Sequence, residues 1–470
     1  MSTLTALARA QAFAAGRAEP IATVRHLHVH DRPLVLIPLA LAGEANAPLA
    51  ALVGTAAAEP RLLVVAQPRN RDERFAFAAR LAGIVNTYVD SFTGVAEPIA
   101  VDRGRDVRYR FTDAPQLWVP NIGGVEFLRL LGRSTRFRTV DGEYPVEPGV
   151  PLLGRWLTFF ANAAEVPGSA LLLNAVQALG LHWVTGQSGA EDASLAALLA
   201  WIAPPAGGSV FDAARLAEQS VAGPATDPEF DNRVLAPLMS GPAVDVSRLT
   251  GALRSVLDPV WTMMWQSLDL LRQLPVGARV GARWDSDRDS YSAFVQHLSD
   301  GGPPQPRRDG AVAAAARLSR LEAAANRYAV QRAFDDPLVM AEYRLTGAAF
   351  TGVVTLAKAD RIDDSGKRPV LRPRIMVEAT EPVRVDRGVV LTSPSRPAQK
   401  ATVISVTDPQ VLLELSGGMG RKLVAEPGSV PEVGERLLLT TLSEAFRPGG
   451  AFPDPDRTPW THGGPPVPAL

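Results

Sequence analysis

The chain has 470 residues, 46% of them hydrophobic and 21% charged, which fits about two to four folded domains and excludes disorder over most of the length. The 48 lysines and arginines balance 49 aspartates and glutamates, so no global field draws the chain to nucleic acid or anionic lipid, and such binding needs a local patch. Cysteine is absent, which excludes disulfides, thiolate metal sites and cysteine nucleophiles together. The longest apolar runs, 34–42 and 171–184, fall short of the about 20 apolar residues that a membrane span needs. Residues 1–16 lack the apolar core of a cleavable leader. A soluble, cytoplasmic chain with no membrane partner is expected.

In chain order, residues 20–67 read as strands. Residues 22–30 alternate, Asp31-Arg32-Pro33 is a turn signal, 34–41 is a buried apolar run and 61–66 is a further strand. A helix is predicted from the charged start at Arg69-Asn70-Arg71-Asp72-Glu73-Arg74 to about residue 89, with Phe75, Phe77, Leu81 and Val85 as its apolar stripe. Short strands at 107–112 and 116–119 and a helix at 124–131 complete an α/β module spanning 1–149. From 150 to 345 the pattern becomes helical, at 152–164, 169–184, 193–202, 248–274 and 310–334. Trp261, Met263, Met264 and Trp265 read there as core rather than a cofactor box. From 346 to 446 valine, threonine, glycine and proline dominate. Strand-length runs at 350–357, 374–379, 389–392, 402–406, 411–415 and 436–441 predict a small β-barrel of the OB or SH3 kind. The tail, 447–470, is rich in proline and glycine and is expected to lack regular structure. The expected fold class is therefore α+β and multidomain: an N-terminal α/β module, a helical middle and a C-terminal barrel.

Lysine placement narrows the chemistry. The chain has four lysines, Lys358, Lys367, Lys400 and Lys422, all beyond residue 357. A phosphate-binding loop needs its lysine directly after a glycine loop and before a helix. Gly417-Gly418-Met419-Gly420-Arg421-Lys422-Leu423 lacks the following serine or threonine and lies among strands, so it is not an ATP site. Asp285-Ser286-Asp287-Arg288-Asp289 starts like a calcium loop, but Ser290 stands at the glycine position and Gln296 at the glutamate position. A helix cap with acidic first-turn residues accounts for it. Gly186-Gln187-Ser188-Gly189-Ala190 misses the last glycine of a nucleophile elbow. Asp227, Glu229 and Asp231 read as a turn and cap or as a carboxylate group, and Asp335-Asp336-Pro337 as a turn.

Two patterns keep a functional reading. His26, His28 and His30 alternate, so a strand over 22–30 places all three imidazoles on one face, as a divalent transition metal requires. A polar strand face opposite Leu27 and Val29 accounts for the same spacing. Arginine and aromatic residues interleave in Arg103–Phe111 and in Arg133-Ser134-Thr135-Arg136-Phe137-Arg138, where arginine can hold phosphate while rings stack on bases. Arg108 and Arg110 then face away from Tyr109 and Phe111, which is also the pattern of any half-buried strand. With Arg69, Arg71 and Arg74 they are the phosphate-contact candidates of the first module.

In the last third, Ala349-Phe350-Thr351-Gly352-Val353-Val354, Pro373-Arg374-Ile375-Met376-Val377, Ala401-Thr402-Val403-Ile404-Ser405-Val406, Val411-Leu412-Leu413-Glu414-Leu415 and Val430-Pro431-Glu432-Val433-Gly434-Glu435-Arg436 resemble the small β-barrel beside the motor of superfamily 1B helicases. The resemblance covers about a hundred of the residues, and no motor motif accompanies it. It implies a non-enzymatic accessory subunit that docks a separate helicase (a motor ATPase) or a nuclease and contacts DNA or RNA, as in bacterial anti-phage defence. Lys358, Lys367, Arg372, Arg374, Lys400, Arg421 and Lys422 would supply the barrel's basic surface. The alternative is a metal-dependent hydrolase or nuclease using His26, His28 and His30. No motif identifies a reaction, so no catalytic residue and no cofactor is assigned beyond that alternative metal.

Overall fold

The computed structural model describes residues 2–44, 47–101, 105–204, 206–217, 223–240 and 244–444. They divide into two compact units, one taking in the described residues of Thr5–Ala325 and the other those of Asn326–Gly449 with Ser2–Leu4. The chain opens with helix α1 (Thr3–Ala15). Strands β1 (Leu34–Ala40), β2 (Pro48–Gly54) and β3 (Arg61–Val64) form an antiparallel meander. Helix α2 (Arg71–Asp90), the hairpin of β4 (Ala96–Val101) and β5 (Asp106–Phe111), and β6 (Leu117–Val119) follow. Next come α3 (Ile122–Thr135), α4 (Gly149–Ala163) and β7 (Leu172–Asn174). The meander, β6 and β7 make one five-stranded sheet in the order β3-β2-β1-β6-β7, with β6 and β7 added parallel to β1.

Helices cover both faces of this sheet. Leu34 and Leu36 of β1 pack with α2, α3 and α4, while Val35, Ile37 and Leu39 pack on the other side. There they meet α5 (Ala175–Gly180), α6 (Leu195–Ile202) and the 27-residue α8 (Val246–Arg272); α7 (Val210–Ala217) packs against Trp201 of α6 in a satellite cluster. A strand covered on both faces reads as a continuous apolar run, and residues 34–40 are buried throughout. The second face therefore needs the helices expected to form a domain of their own. The change of composition near residue 150 marks a change of element type, while the sheet continues beyond it through β7 and the two cores run across it.

Several elements differ from expectation. Residues 22–30 form no strand: the Arg25 and Ile21 amides donate to the carbonyls of Pro275 and His182, and the His26 and His30 amides to side chains, leaving no ladder partner beyond a single bridge from Arg25 to Val276. Pro48–Gly54, between the named runs at 34–41 and 61–66, is a further strand, β2, beside the central β1. Residues 169–184 split, because Asn174 ends β7 and caps α5 by accepting the Gln177 amide at 2.8 Å. The acidic run at 285–289 lies inside α9 (Val280–Ser299) rather than at its cap.

The 25-residue helix α10 (Ala311–Asp335) contains the division between the units. In the second unit Asp336 accepts the Leu338 amide at 2.9 Å and starts α11 (Pro337–Thr346), which Gly347 ends at a φ of 83°. The predicted turn is thus a helix cap. Strands β8 (Ala349–Lys358), β9 (Arg374–Ala379), β10 (Val390–Ser393), β11 (Arg396–Thr407), β12 (Gln410–Ser416) and β13 (Arg436–Thr440) close into an antiparallel barrel in the order β8-β9-β12-β11-β10-β13. Each overlaps one of the six predicted runs. Alternate residues fill it, Ile375 and Val377 against Val411, Leu413 and Leu437. The predicted tail lies outside the described residues. Among the described residues no helix is long and apolar enough to cross a membrane.

Candidate nucleic-acid interface

The barrel register gathers the predicted cations at one rim. Lys358, at the end of β8, stands opposite Arg374, at the start of β9. Arg374 stands opposite Glu414 near the end of β12, and Lys400, near the start of β11, opposite Ser416. The excursion between β8 and β9 leaves this same rim carrying Lys367 and Arg372, with a short ladder of Ile362–Asp363 and Val370–Leu371. The loop after β12 leaves it too. Gly417 and Gly418 adopt φ of 75° and 67°, and a Cβ on Gly417 would fall 2.8 Å from the Ala398 carbonyl. Met419 then buries into the barrel core, and Arg421 and Lys422 follow, exposed.

The rim cations are not equivalent. Arg374 donates from Nε and Nη2 to Glu414 Oε2 at 3.1 and 3.0 Å, and Arg361 Nη1 reaches the same oxygen at 2.8 Å. Arg372 is half-buried and donates to the Leu371 carbonyl. Lys358, Lys367, Lys400, Arg421 and Lys422 are exposed, and none forms an ion pair among the described residues. Of the nearby acids, Asp363 is engaged by the Ser365 hydroxyl and amide, which hold its carboxyl below its ordinary value. Such solvated cations are the kind that exchange counterions for phosphates.

The arginines of the β4–β5 hairpin are held differently. Glu97 lies directly opposite Arg110 across the hairpin. Arg110 Nη2 and Arg288 Nη1 both reach Glu97 Oε1, at 2.7 and 3.0 Å, Arg288 Nη2 reaches Asp285 at 2.5 Å, and Arg108 Nη2 reaches Asp289 at 2.6 Å. The hydrogen bond from Arg110, and then the Arg288 charge, outweigh what desolvation there is and keep the Glu97 carboxyl below its usual value. Asp285 and Asp289 on α9 thus hold Arg110 inward, while Arg108 reaches Asp289 from a side chain 48% exposed. Tyr109 is left 71% exposed, while Phe111 packs against the core as expected. Arg69 is likewise paired, with Glu44.

The three histidines do not converge. His26 is fully buried against His182, with ring centroids 5.7 Å apart, and its amide donates to His182 Nε2 at 3.0 Å. His28 stacks on Trp284 at 4.1 Å, and burial, helped by the charges of His30 and Arg25, pushes its imidazole down to about 4. His30 Nδ1 accepts the Arg32 amide at 2.8 Å, so its Nε2–H donates to Asp113 at 2.8 Å. Burial raises the Asp113 carboxyl, but hydrogen bonds from His30, the Ala114 amide and Trp284 together hold it below its ordinary value. Both nitrogens of His30 are thereby used. Among the described residues no group of three or more histidine, aspartate or glutamate side chains has the geometry to hold a metal ion. Asp113, Gln116 and Trp284, which organise this cluster, carry no local sequence signal because they join it from distant segments.

The remaining motifs are structural. Ser188 and Glu191 cap each other, the Ser188 amide donating to Glu191 Oε2 at 2.6 Å and the Glu191 amide to Ser188 Oγ at 3.3 Å. Asp227 Oδ1 accepts the Glu229 amide at 2.6 Å, the predicted turn and cap. Asp231 instead ties down the loop after β1 by accepting the Ala42 amide. No family model, curated protein or solved structure matches the chain.

Proposed function

We propose that the C-terminal barrel is a nucleic-acid-contacting module of a non-enzymatic accessory subunit. The observation that carries this reading is the gathering of Lys358, Lys367, Lys400, Arg421 and Lys422 at one rim, exposed and outside any ion pair among the described residues. Cations with no structural task to perform are free to neutralise phosphates, and lysine on a flexible stem suits a backbone whose sequence is not being read. Docking on a motor ATPase, helicase or nuclease rests on the barrel's resemblance alone. Nuclease-resistant co-purification of such a partner from the native host supports it, and recovery of the chain alone argues against it.

The test of the rim is titration of the full chain with single-stranded DNA, duplex DNA and RNA at about 50 and about 200 mM salt. The triple variant Lys400→Glu, Arg421→Glu, Lys422→Glu should lose more than about tenfold in affinity and flatten the salt dependence. Unchanged affinity in the triple variant sinks the assignment.

A further inference from the structure

Two arginine-bearing segments far apart in sequence meet on the layer formed by α2 and α3. Arg71, Arg74 and Phe75 occupy the first turns of α2, and Arg138 follows the end of α3. Phe75 carries two of these cations over its ring, with the Arg71 guanidinium 4.6 Å from its centroid and that of Arg138 5.1 Å. Beside the stack opens a cleft of 330 Å³. Its floor includes Phe127, Leu130 and Leu131, and Arg71, Arg74 and Arg138 stand at its rim. The volume is at the small end of the range for small-molecule pockets, about 300–1,000 Å³.

The chemistry of the lining restricts the occupant. Arg71 pairs with Asp72, whose side chain is 88% exposed, and donates to the Tyr144 carbonyl at 3.0 Å. Arg138 donates to the Ser134 carbonyl at 3.2 Å and forms no ion pair among the described residues. The rim is therefore cationic, and cation–π contacts orient two of its guanidinium forks. The hydroxyls of Ser134 and Thr135, at the same cleft, both donate to the Leu131 carbonyl, at 2.9 and 2.6 Å. The donors facing a ligand's anionic head are thus the guanidinium groups of Arg71 and Arg138, and the floor rewards only apolar surface. Two guanidinium groups already lie over the Phe75 ring and compete with any flat ring for it. Leucine floors suit an aliphatic body.

We propose that this cleft binds a medium-chain acyl or alkyl anion, with a carboxylate or phosphate head on the arginine rim and the chain on Phe127, Leu130 and Leu131. The inference is independent of the barrel's role.

Calorimetric titration of the full chain with octanoate, octyl phosphate, octanol and inorganic phosphate tests it, the two anionic probes distinguishing the head group. One or both octyl anions should bind and the other two probes should not at the same concentration. Lengthening the better anion from hexyl to octyl should tighten binding about fourfold per methylene until the cleft is full. Arg138→Gln should weaken binding at least about tenfold. Ser134→Trp, placed at an exposed rim position, should abolish it without lowering the melting temperature. Octanol binding as tightly as octanoate, inorganic phosphate matching octyl phosphate, no binding by any probe, or unchanged binding in Arg138→Gln overturns the proposal. Should Ser134→Trp fail to fold, Arg138→Gln and the chain-length series decide alone.

Discussion

The α/β unit and the barrel rim use charge in opposite ways. In the α/β unit the hairpin arginines named by their spacing are matched by carboxylates. Arg110 is 12% exposed and lies among Glu97, Asp285 and Asp289, while Asp287 of α9 is 5% exposed. At the rim, Lys358, Lys400 and Lys422 face water and have no carboxylate to hold them among the described residues. Buried charge is costly unless paired or hydrogen-bonded, so it fixes structure and its removal shows in stability. Solvated charge contributes little to stability and is available to a ligand. The difference teaches that an arginine cluster in a sequence says nothing of function until its carboxylates are located.

Two buried groups of the α/β unit break or confirm the first half of that comparison, with the largest expected effect. Asp287 accepts from Ser169 Oγ and the Ala170 amide, each at 2.7 Å; burial outweighs these bonds and the Arg283 charge and lifts its carboxyl to about 7. The folded chain therefore keeps a proton that the unfolded chain releases, and the associated stability is full below pH 3.8 and lost as pH rises through about 7. His28 works the other way. Its imidazole falls from 6.5 to about 4, so its contribution is full above pH 6.5 and lost as pH falls through about 4. Between those values the two slopes oppose. Asp287→Asn should leave the His28 slope, with stability rising from pH 4 to 6.5, and His28→Phe should leave the Asp287 slope, with stability falling. Each swing reaches about 3 kcal/mol at most. Urea midpoints across the range measure both, and identical profiles for the two variants would refute the assignment.

The same contrast explains what was legible in the sequence. The barrel was readable because its signals are local: alternation at 374–379 and 411–415, and turns at Gly388 and Gly417-Gly418, where positive φ requires glycine. The lysines of the rim were visible as well, though only the strand register shows that they meet. The α/β unit hid its logic in long-range partners. Asp285 and Asp289 resemble a helix start until the hairpin carrying Arg108 and Arg110 is placed on α9. The alternation of His26, His28 and His30 is a strand pattern, but His182 and Gln116 take the amides that a neighbouring strand would need. Nor does anything within α2 announce that Arg138 will share Phe75 with Arg71.

A second, smaller effect sharpens the comparison within arginine itself. Arg110→Ala strands the Glu97 carboxylate with Arg288 alone and removes one of the two cations near Asp289. Because Glu97 is partly solvated, at 39% exposure, the cost should be well below that of breaking a fully buried pair. Nucleic-acid affinity should be unchanged. A loss of affinity with no change in the urea midpoint would instead make the hairpin a contact surface.

The smallest effects belong to single rim residues, where the two kinds of cation sit side by side. Lys400→Gln should leave the urea midpoint within about 0.5 kcal/mol of the parent, as for any exposed substitution away from a network. It should weaken nucleic-acid binding about two- to fivefold and lower the salt slope by about 0.7–0.9, the share of one neutralised phosphate. Arg374→Gln offers the internal control. Its guanidinium already serves Glu414, which Arg361 also holds, so the same titration should show a smaller change in slope than Lys400→Gln. If the slope instead falls equally for both, the Glu414 pairing does not withhold Arg374 from phosphate, and partnering is no guide to which rim cations bind.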